Sequence, residues 1–349
     1  MQSNLAADKA SAEKKLKDFV SKPLYQGAMK PITDLVPSSS HVYLCGGSVR
    51  DVLLGKLPKD LDLMIPSAYF DVVANWFKAQ AKSKSSSFPM KITNYNLHIL
   101  QAKAARNLKL LRLNIIVNSK TLGEVKLELD IRELKIIDGN IKETLELDSQ
   151  SRDFRVNAMQ FEVRLHKLYD PEHGPQKKCG LTDIANMTLT PVRDPHSVFE
   201  DRRRIIRAIR LSAQHGLKYS DQLFKCLSQD AAAIFQQHNH HPQLVPEYDK
   251  CLRDLVHCSS IFEQLAKWHL IHAFNRTIVS SDLIAEGLLI MHDHSLAKKD
   301  NRLEQLMTHF ESLGAAIVVS IALLKSAFPS QTLGSFIQSD NKLQQILSI

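Results

Sequence analysis

Five cysteines in 349 residues, widely spread and with no CxxC pair among them, read as reduced thiols of a cytosol-like compartment rather than a disulfide frame or a zinc site. Only two tryptophans occur, and both Trp76 and Trp268 lie in apolar helical contexts that predict core positions. No apolar run is long enough for a membrane span: the strongest, 315–324, has about half of the roughly 20 residues a spanning helix needs and reads as a buried helix. The first twenty residues are mixed in charge and hold no apolar stretch, which predicts no secretory leader and a cytoplasmic protein. There is no internal repeat. Acidic excess is also absent: 45 Lys and Arg against 37 Asp and Glu leave a formal charge of +8, which suits a polyanionic partner because basic side chains release counterions from phosphate backbones.

What is present is a globular composition, 44% hydrophobic and 23% charged, with length for two or three domains. Residues 11–20 predict a short basic amphipathic helix, and the Pro- and Ser-punctuated stretch to 40 a linker. The first compact unit is expected from His41. There, 42–44 and 61–65 read as strands, 49–54 and 69–79 as helices, and 82–87 as a Lys/Ser loop. Further strands are expected at 97–100, 111–117, 125–131 and 155–161. They follow one another too closely for repeated βαβ crossovers, so the sheet is expected to be mixed or largely antiparallel. After about Pro191 helical periodicity takes over, at 199–215, 221–235, 248–266, 281–292, 301–327 and 332–347, with a Gln/His/Asn loop at 236–243.

Two short signals carry chemistry. Gly46-Gly47-Ser48, between a strand and a helix start, exposes backbone N–H groups at a favourable helix N-terminus, where Ser48 and Arg50 can add donors to an anion. Asp60 and Asp62 share one face of a strand, and convergent carboxylates suit hard divalent cations such as Mg²⁺. Each signal alone also fits a plain turn or a solvated edge strand. A third carboxylate is expected from VKLELDIREL, where Glu128 and Asp130 are both eligible and Glu128 is slightly favoured. His238, His240 and His241, and the run Met291-His292-Asp293-His294, lack the accompanying ligands of a metal site and read as polar surface and a helix end.

Gly46-Gly47-Ser48-Val49-Arg50-Asp51, Leu53-Leu54-Gly55 and Asp60-Leu61-Asp62 together resemble the signature of class II tRNA nucleotidyltransferases and bacterial poly(A) polymerases, within the DNA-polymerase-β-like superfamily. Later motifs follow in that family's order. Ser151-Arg152-Asp153-Phe154-Arg155-Val156-Asn157-Ala158 resembles its Arg-Arg-Asp-Phe-Thr-x-Asn-Ala motif. Asp170-Pro171, Gly174 and Asp183-Ile184 resemble a flexible-loop motif, and Glu200-Asp201 with Arg204 through Arg210 a neck-helix motif. The resemblance runs from about 41 to 217. Ser151, Arg155 and the pair Arg202-Arg203 depart from the pattern.

The resemblance implies an α+β chain: a nucleotidyltransferase head (41–190) after the basic helix and linker (1–40), then an all-α neck (191–235) and an RNA-binding body and tail (236–349). It implies two-metal transfer of CMP or AMP from CTP or ATP to an RNA 3′-hydroxyl. Asp60 and Asp62 would hold Mg²⁺, with the third acid open between Glu128, slightly favoured, and Asp130. Gly46, Gly47, Ser48 and Arg50 would hold the triphosphate, Asp153 with Arg152 would sense the ribose 2′-hydroxyl, and Asn157 would join the nucleotide-binding set. Asp201 and Arg204, i and i+3 on one helix face, would read the base, and Arg207 belongs to a basic ladder suited to phosphates. The tRNA 3′ end is the favoured acceptor because the C-terminus is not basic; polyadenylation, and a non-catalytic RNA-binding scaffold, stay open.

Overall fold

The computed structural model describes residues 2–82, 90–100, 108–119, 123–174, 177–236, 247, 250, 251, 257–268 and 270. The expectations for the helices at 281–292, 301–327 and 332–347, most of the loop at 236–243 and nearly all of the loop at 82–87 lie outside the described residues. The chain divides into two compact units, Met1–Asp194 and Pro195–Ile349.

The first unit opens with α1 (Gln2–Val20) and α2 (Pro23–Leu35). The stretch expected as a linker is therefore mostly helix. Its punctuation misleads because Pro23 stands at the first helical turn, where a missing N–H costs nothing. Leu16, Phe19, Tyr25, Met29 and Ile32 from this pair are buried in the same core as the strands that follow, so the compact unit begins well before His41. Arg164 fixes the end of α2 and the turn after it: its guanidinium donates to the carbonyls of Thr33 and Val36, at the helix C-terminus, and of Pro37 and Ser40 in the following turn.

Next come β1 (Tyr43–Cys45), α3 (Gly46–Leu53), β2 (Asp60–Pro66), α4 (Ser67–Lys82), β3 (Met90–Leu100), β4 (Leu108–Ser119), β5 (Gly123–Leu134) and α5 (Ile141–Ser151). The single sheet they build with β6 (Gln160–Glu162) and β7 (Lys167–Tyr169) has the order β3-β4-β5-β2-β1-β6-β7. One pairing, β2 with β5, is parallel; the others described are antiparallel. This is the mixed sheet of an α+β fold. Where a continuous strand is expected over 155–161, Arg155–Asn157 is a single 3₁₀ turn and only Gln160–Glu162 joins the sheet. The turn buries Val156 and points Asn157 at the site described below.

Period-two alternation decides the faces. On β5, Leu127, Leu129 and Ile131 are buried beneath the sheet with Leu61, Leu63 and Ile65 of β2. The intervening acids therefore share the opposite face. The unit closes with α6 (Gly180–Ala185) and β8 (Thr188–Leu189). Trp76 of α4 packs half-buried on the core, edge to face with Phe77 at 5.0 Å between ring centroids.

Among the described residues of the second unit, the two-residue strand β9 (Lys218–Tyr219) stands beside the helices α7 (Pro195–Phe199), α8 (Arg203–His215), α9 (Asp221–Gln229), α10 (Ala231–Gln236) and α11 (Cys258–Lys267). Two expected helices are broken. The one at 199–215 divides at 200–202, and the one at 221–235 divides at Asp230. Gly216, at φ +67°, ends α8 in the left-handed conformation that glycine adopts without strain. Trp268 is buried in this unit, against Tyr219 and Phe224.

Candidate active site

The parallel register of β2 and β5 sets Asp60 beside Glu128 and Asp62 beside Asp130. Residues paired in register point to the same face, so four carboxylates gather on two adjacent strands. Asp60 is exposed and Asp62 half-buried. Burial pushes the Asp62 carboxyl up to about 6; Arg152 pulls the other way, and Asp130 and Asp60 add like-charge repulsion.

The glycine pair meets this cluster from the other side. Gly46, at φ +63°, is so close to Asp62 that a Cβ there would lie 3.1 Å from Asp62 Oδ2 and 3.3 Å from an Arg152 nitrogen; at Gly47 it would lie 3.5 Å from the same oxygen. Side chains at these positions would fill the space between the start of α3 and the acid cluster. Ser48 locks the arrangement: its hydroxyl donates to the Asp60 carbonyl at 2.9 Å and accepts from the Asp62 N–H at 2.7 Å. Buried and occupied this way, Ser48 serves by holding β2 against α3.

Arg50 donates to Asp51 at 2.8 Å and to Asn157 Oδ1 at 2.6 Å, and the Asn157 amide donates to Asp153 Oδ1 at 3.0 Å. Asp153 also accepts the N–H of Phe154 at 2.8 Å. Arg50, Asn157 and Asp153 thus form one buried relay beside the glycine turn. Arg152 is oriented by Asp148, donating to Oδ2 at 2.9 Å. Burial pushes the Asp148 carboxyl up, but the Arg132 and Arg152 guanidinium groups outweigh it and hold the group well below the usual carboxylate range.

The residue sequence reasoning missed is Arg112 of β4. It forks onto Asp130 at 2.8 and 2.6 Å and reaches Glu128 Oε1 at 2.9 Å. The hydrogen bond to Asp130 raises its pKa against a smaller effect of burial. The one available signal was that β4 must neighbour β5, which brings a basic residue opposite LELDI; Arg112 pairs in register with Asp130.

Asp201, Arg204 and Arg207 belong to the second unit. Asp201 stands just before α8, not on it, so the expected shared helix face is not formed. Arg203 takes both of its oxygens, at 2.8 and 2.7 Å, while Arg204 Nε is 3.7 Å away. Burial raises the Asp201 carboxyl, and Arg203 more than reverses this, so the net shift is downward. Nor is the arginine ladder wholly turned to solvent. Buried Glu247 accepts from Arg207 at 2.6 Å and from Arg210 at 3.0 Å.

The first-unit geometry fits a divalent cation: oxygen donors only, converging, with Asp62 held at an unfavourable charge that a cation would relieve. The sheet face carries the clustered acids, with backbone N–H groups and arginines across from it. Residues 42–178 match the family described as the poly A polymerase head domain. Poly(A) polymerase I of Haemophilus influenzae is 26% identical over 198 residues, which are 56% of this chain and 40% of that protein. The CCA-adding enzyme of Streptococcus suis is 26% identical over 213 residues, 60% of this chain and 45% of that protein. Among solved structures, a tRNA nucleotidyltransferase complexed with a primer tRNA and an incoming ATP analog shares the fold at a TM-score of 0.51, with 20% identity, covering 85% of this chain and 75% of that one. Over residues 42–178 the chain is similar to the poly(A) polymerase and CCA-adding nucleotidyltransferase relatives that share this head domain. It spans about two fifths to one half of the length of the curated relatives it matches.

Proposed function

We propose that this protein transfers nucleotides from nucleoside triphosphates to an RNA 3′-hydroxyl without a nucleic-acid template, with the tRNA 3′ end as the favoured acceptor and CTP and ATP as donors. The observation that carries this reading is the approach of the Asp62 carboxylate to the backbone of Gly46 and Gly47. It joins an acid cluster and an anion cradle into one site.

In the transfer, the acceptor 3′-oxygen forms a bond to the α-phosphorus and the bond to pyrophosphate breaks. Asp60 and Asp62 would hold Mg²⁺, with Glu128 or Asp130 beside them; when bound, the metal supplies activation of the attacking hydroxyl and charge relief for the departing pyrophosphate. The N–H groups at the start of α3 and the Arg152 guanidinium attract the triphosphate. The Arg50–Asn157–Asp153 relay holds the ribose side in place, which leaves Asp153 poised against a 2′-hydroxyl. Base reading is assigned to Asp201 and Arg204 of the second unit. Its remaining basic side chains would serve RNA phosphates.

A second reading, addition of AMP alone to RNA 3′ ends, is favoured by relatives named poly(A) polymerase I. Each of the four labelled triphosphates is supplied separately with Mg²⁺, on tRNA ending before CCA and on oligo(A). CMP and AMP on tRNA support the first reading, and AMP on oligo(A) the second. Incorporation on neither overturns both and leaves RNA binding without catalysis. Asp60→Ala and Asp62→Ala should remove incorporation with the melting temperature retained, because they delete ligands and like-charge repulsion, not core volume.

A further inference from the structure

Outside the acid cluster, the second unit brings together three side chains of a different ligand chemistry. His196 opens α7; Cys226 and Asp230 lie one turn apart at the end of α9, linked by the Asp230 N–H donating to the Cys226 carbonyl at 2.9 Å. One potential ligand atom from each, imidazole nitrogen, sulfur and carboxylate oxygen, lies within 4.8 Å of the other two. His196 Nε2 is 3.2 Å from Asp230 Oδ2. Two ligands of a tetrahedral zinc ion with bonds of about 2.0–2.1 Å stand roughly 3.3 Å apart.

We propose that His196, Cys226 and Asp230 form a binding site for a borderline-soft divalent cation, Zn²⁺ by its ligand chemistry, that clamps α7 to α9. Sulfur and imidazole disfavour Mg²⁺, which takes oxygen ligands, and suit zinc or cobalt. The layout also serves entry and retention. Cys226 is buried and forms the inner wall, whereas the side chains of His196 and Asp230 are 58% and 42% exposed and form an open rim. On binding, the thiol loses its proton to solvent and the fourth position is left to water or a partner group. Cysteine spacing gave no sign of this site because its ligands come from two helices and only one is a cysteine. The proposal goes beyond nucleotidyl transfer and does not depend on it.

The full chain, stripped of metal by a chelator that is then removed, is titrated with Co²⁺. A thiolate-to-cobalt charge-transfer band that saturates near one equivalent and is displaced by Zn²⁺ is expected. It should vanish in Cys226→Ser and persist in Cys45→Ser, the control for the buried thiol near Asp62. His196→Gln and Asp230→Asn, at partly exposed positions that leave the fold intact, should each weaken Co²⁺ binding at least tenfold without lowering the metal-free melting temperature. No band in the wild type, a band that survives Cys226→Ser, or unchanged affinity in His196→Gln would overturn the proposal and leave an ion pair. If Cys226→Ser does not fold, the His196 and Asp230 variants decide.

Discussion

Asp62 concentrates the electrostatics of the head. A carboxyl with a pKa near 6 is protonated below that pH and ionised above it, so divalent-cation affinity at this site should rise as pH passes upward through about 6. Asp130→Asn removes one of the charges that raise the group and should move the midpoint of that rise to lower pH; Mn²⁺ titrations followed by calorimetry across pH 5–8 would read the shift, and an unmoved midpoint would contradict it. Asp60, Asp62 and the glycines were legible in the sequence because their roles depend on short spacings. Arg112 was not, because its partners lie on the next strand. Glu247 was not either, since nothing local links it to Arg207 and Arg210.

Between elements, the segment from β7 to α6 illustrates how a motif can be legible while its physics is not. Asp170 caps α6, accepting the N–H groups of Gly180 and Leu181 at 2.8 and 2.9 Å. Arg155, where the family pattern has threonine, lies buried 3.9 Å from Asp183. Burial pushes Asp183 up to about 6, and burial with Arg155 pushes His173 down to about 4. The two linkages have opposite signs. Buried neutral His173 stabilises the fold above its ordinary pKa, and that stability is lost as pH falls toward 4. Asp183 destabilises the fold as it ionises between about pH 4 and 6. Asp183→Asn should therefore unmask a loss of up to about 3 kcal/mol on acidification. His173→Gln should unmask a loss of similar size as pH rises from 4 to 6. Urea denaturation at pH 4, 5 and 6.5 would show both. On α8, Glu247→Gln leaves two arginines facing a neutral amide and should cost about 2–3 kcal/mol, discounted for the partial exposure of Arg207; a midpoint in urea unchanged from wild type would contradict this.

Across the described residues, the strands of the first unit and the helices at the start of the second were readable from periodicity, as was a mixed sheet from strand spacing. The place of the N-terminal segment was not. Its helices look like an appendage because their apolar residues are sparse, yet Phe19 is buried 4.1 Å, ring centroid to centroid, from Tyr25, inside the head core. Phe19→Ala should lower stability by about 3–5 kcal/mol, and a chain starting at His41 should lose the cooperative thermal transition of the head; calorimetry on both would test this. The break at Asp230 was illegible because apolar periodicity continues across it, and the one at 200–202 because the charged run 200–204 holds neither glycine nor proline to mark a helix end.

The parallel pairing of β2 with β5 has a consequence for how the protein acquires its site in time. In sequence these strands are separated by α4, β3 and β4, so their pairing is a long-range closure and is expected to be slower than the hairpins of the sheet. Until then Asp60 and Asp62 line a strand whose β5 side is open and lack their acidic counterparts. A nascent or refolding chain is therefore expected to gain its affinity for divalent cations in its last kinetic phase.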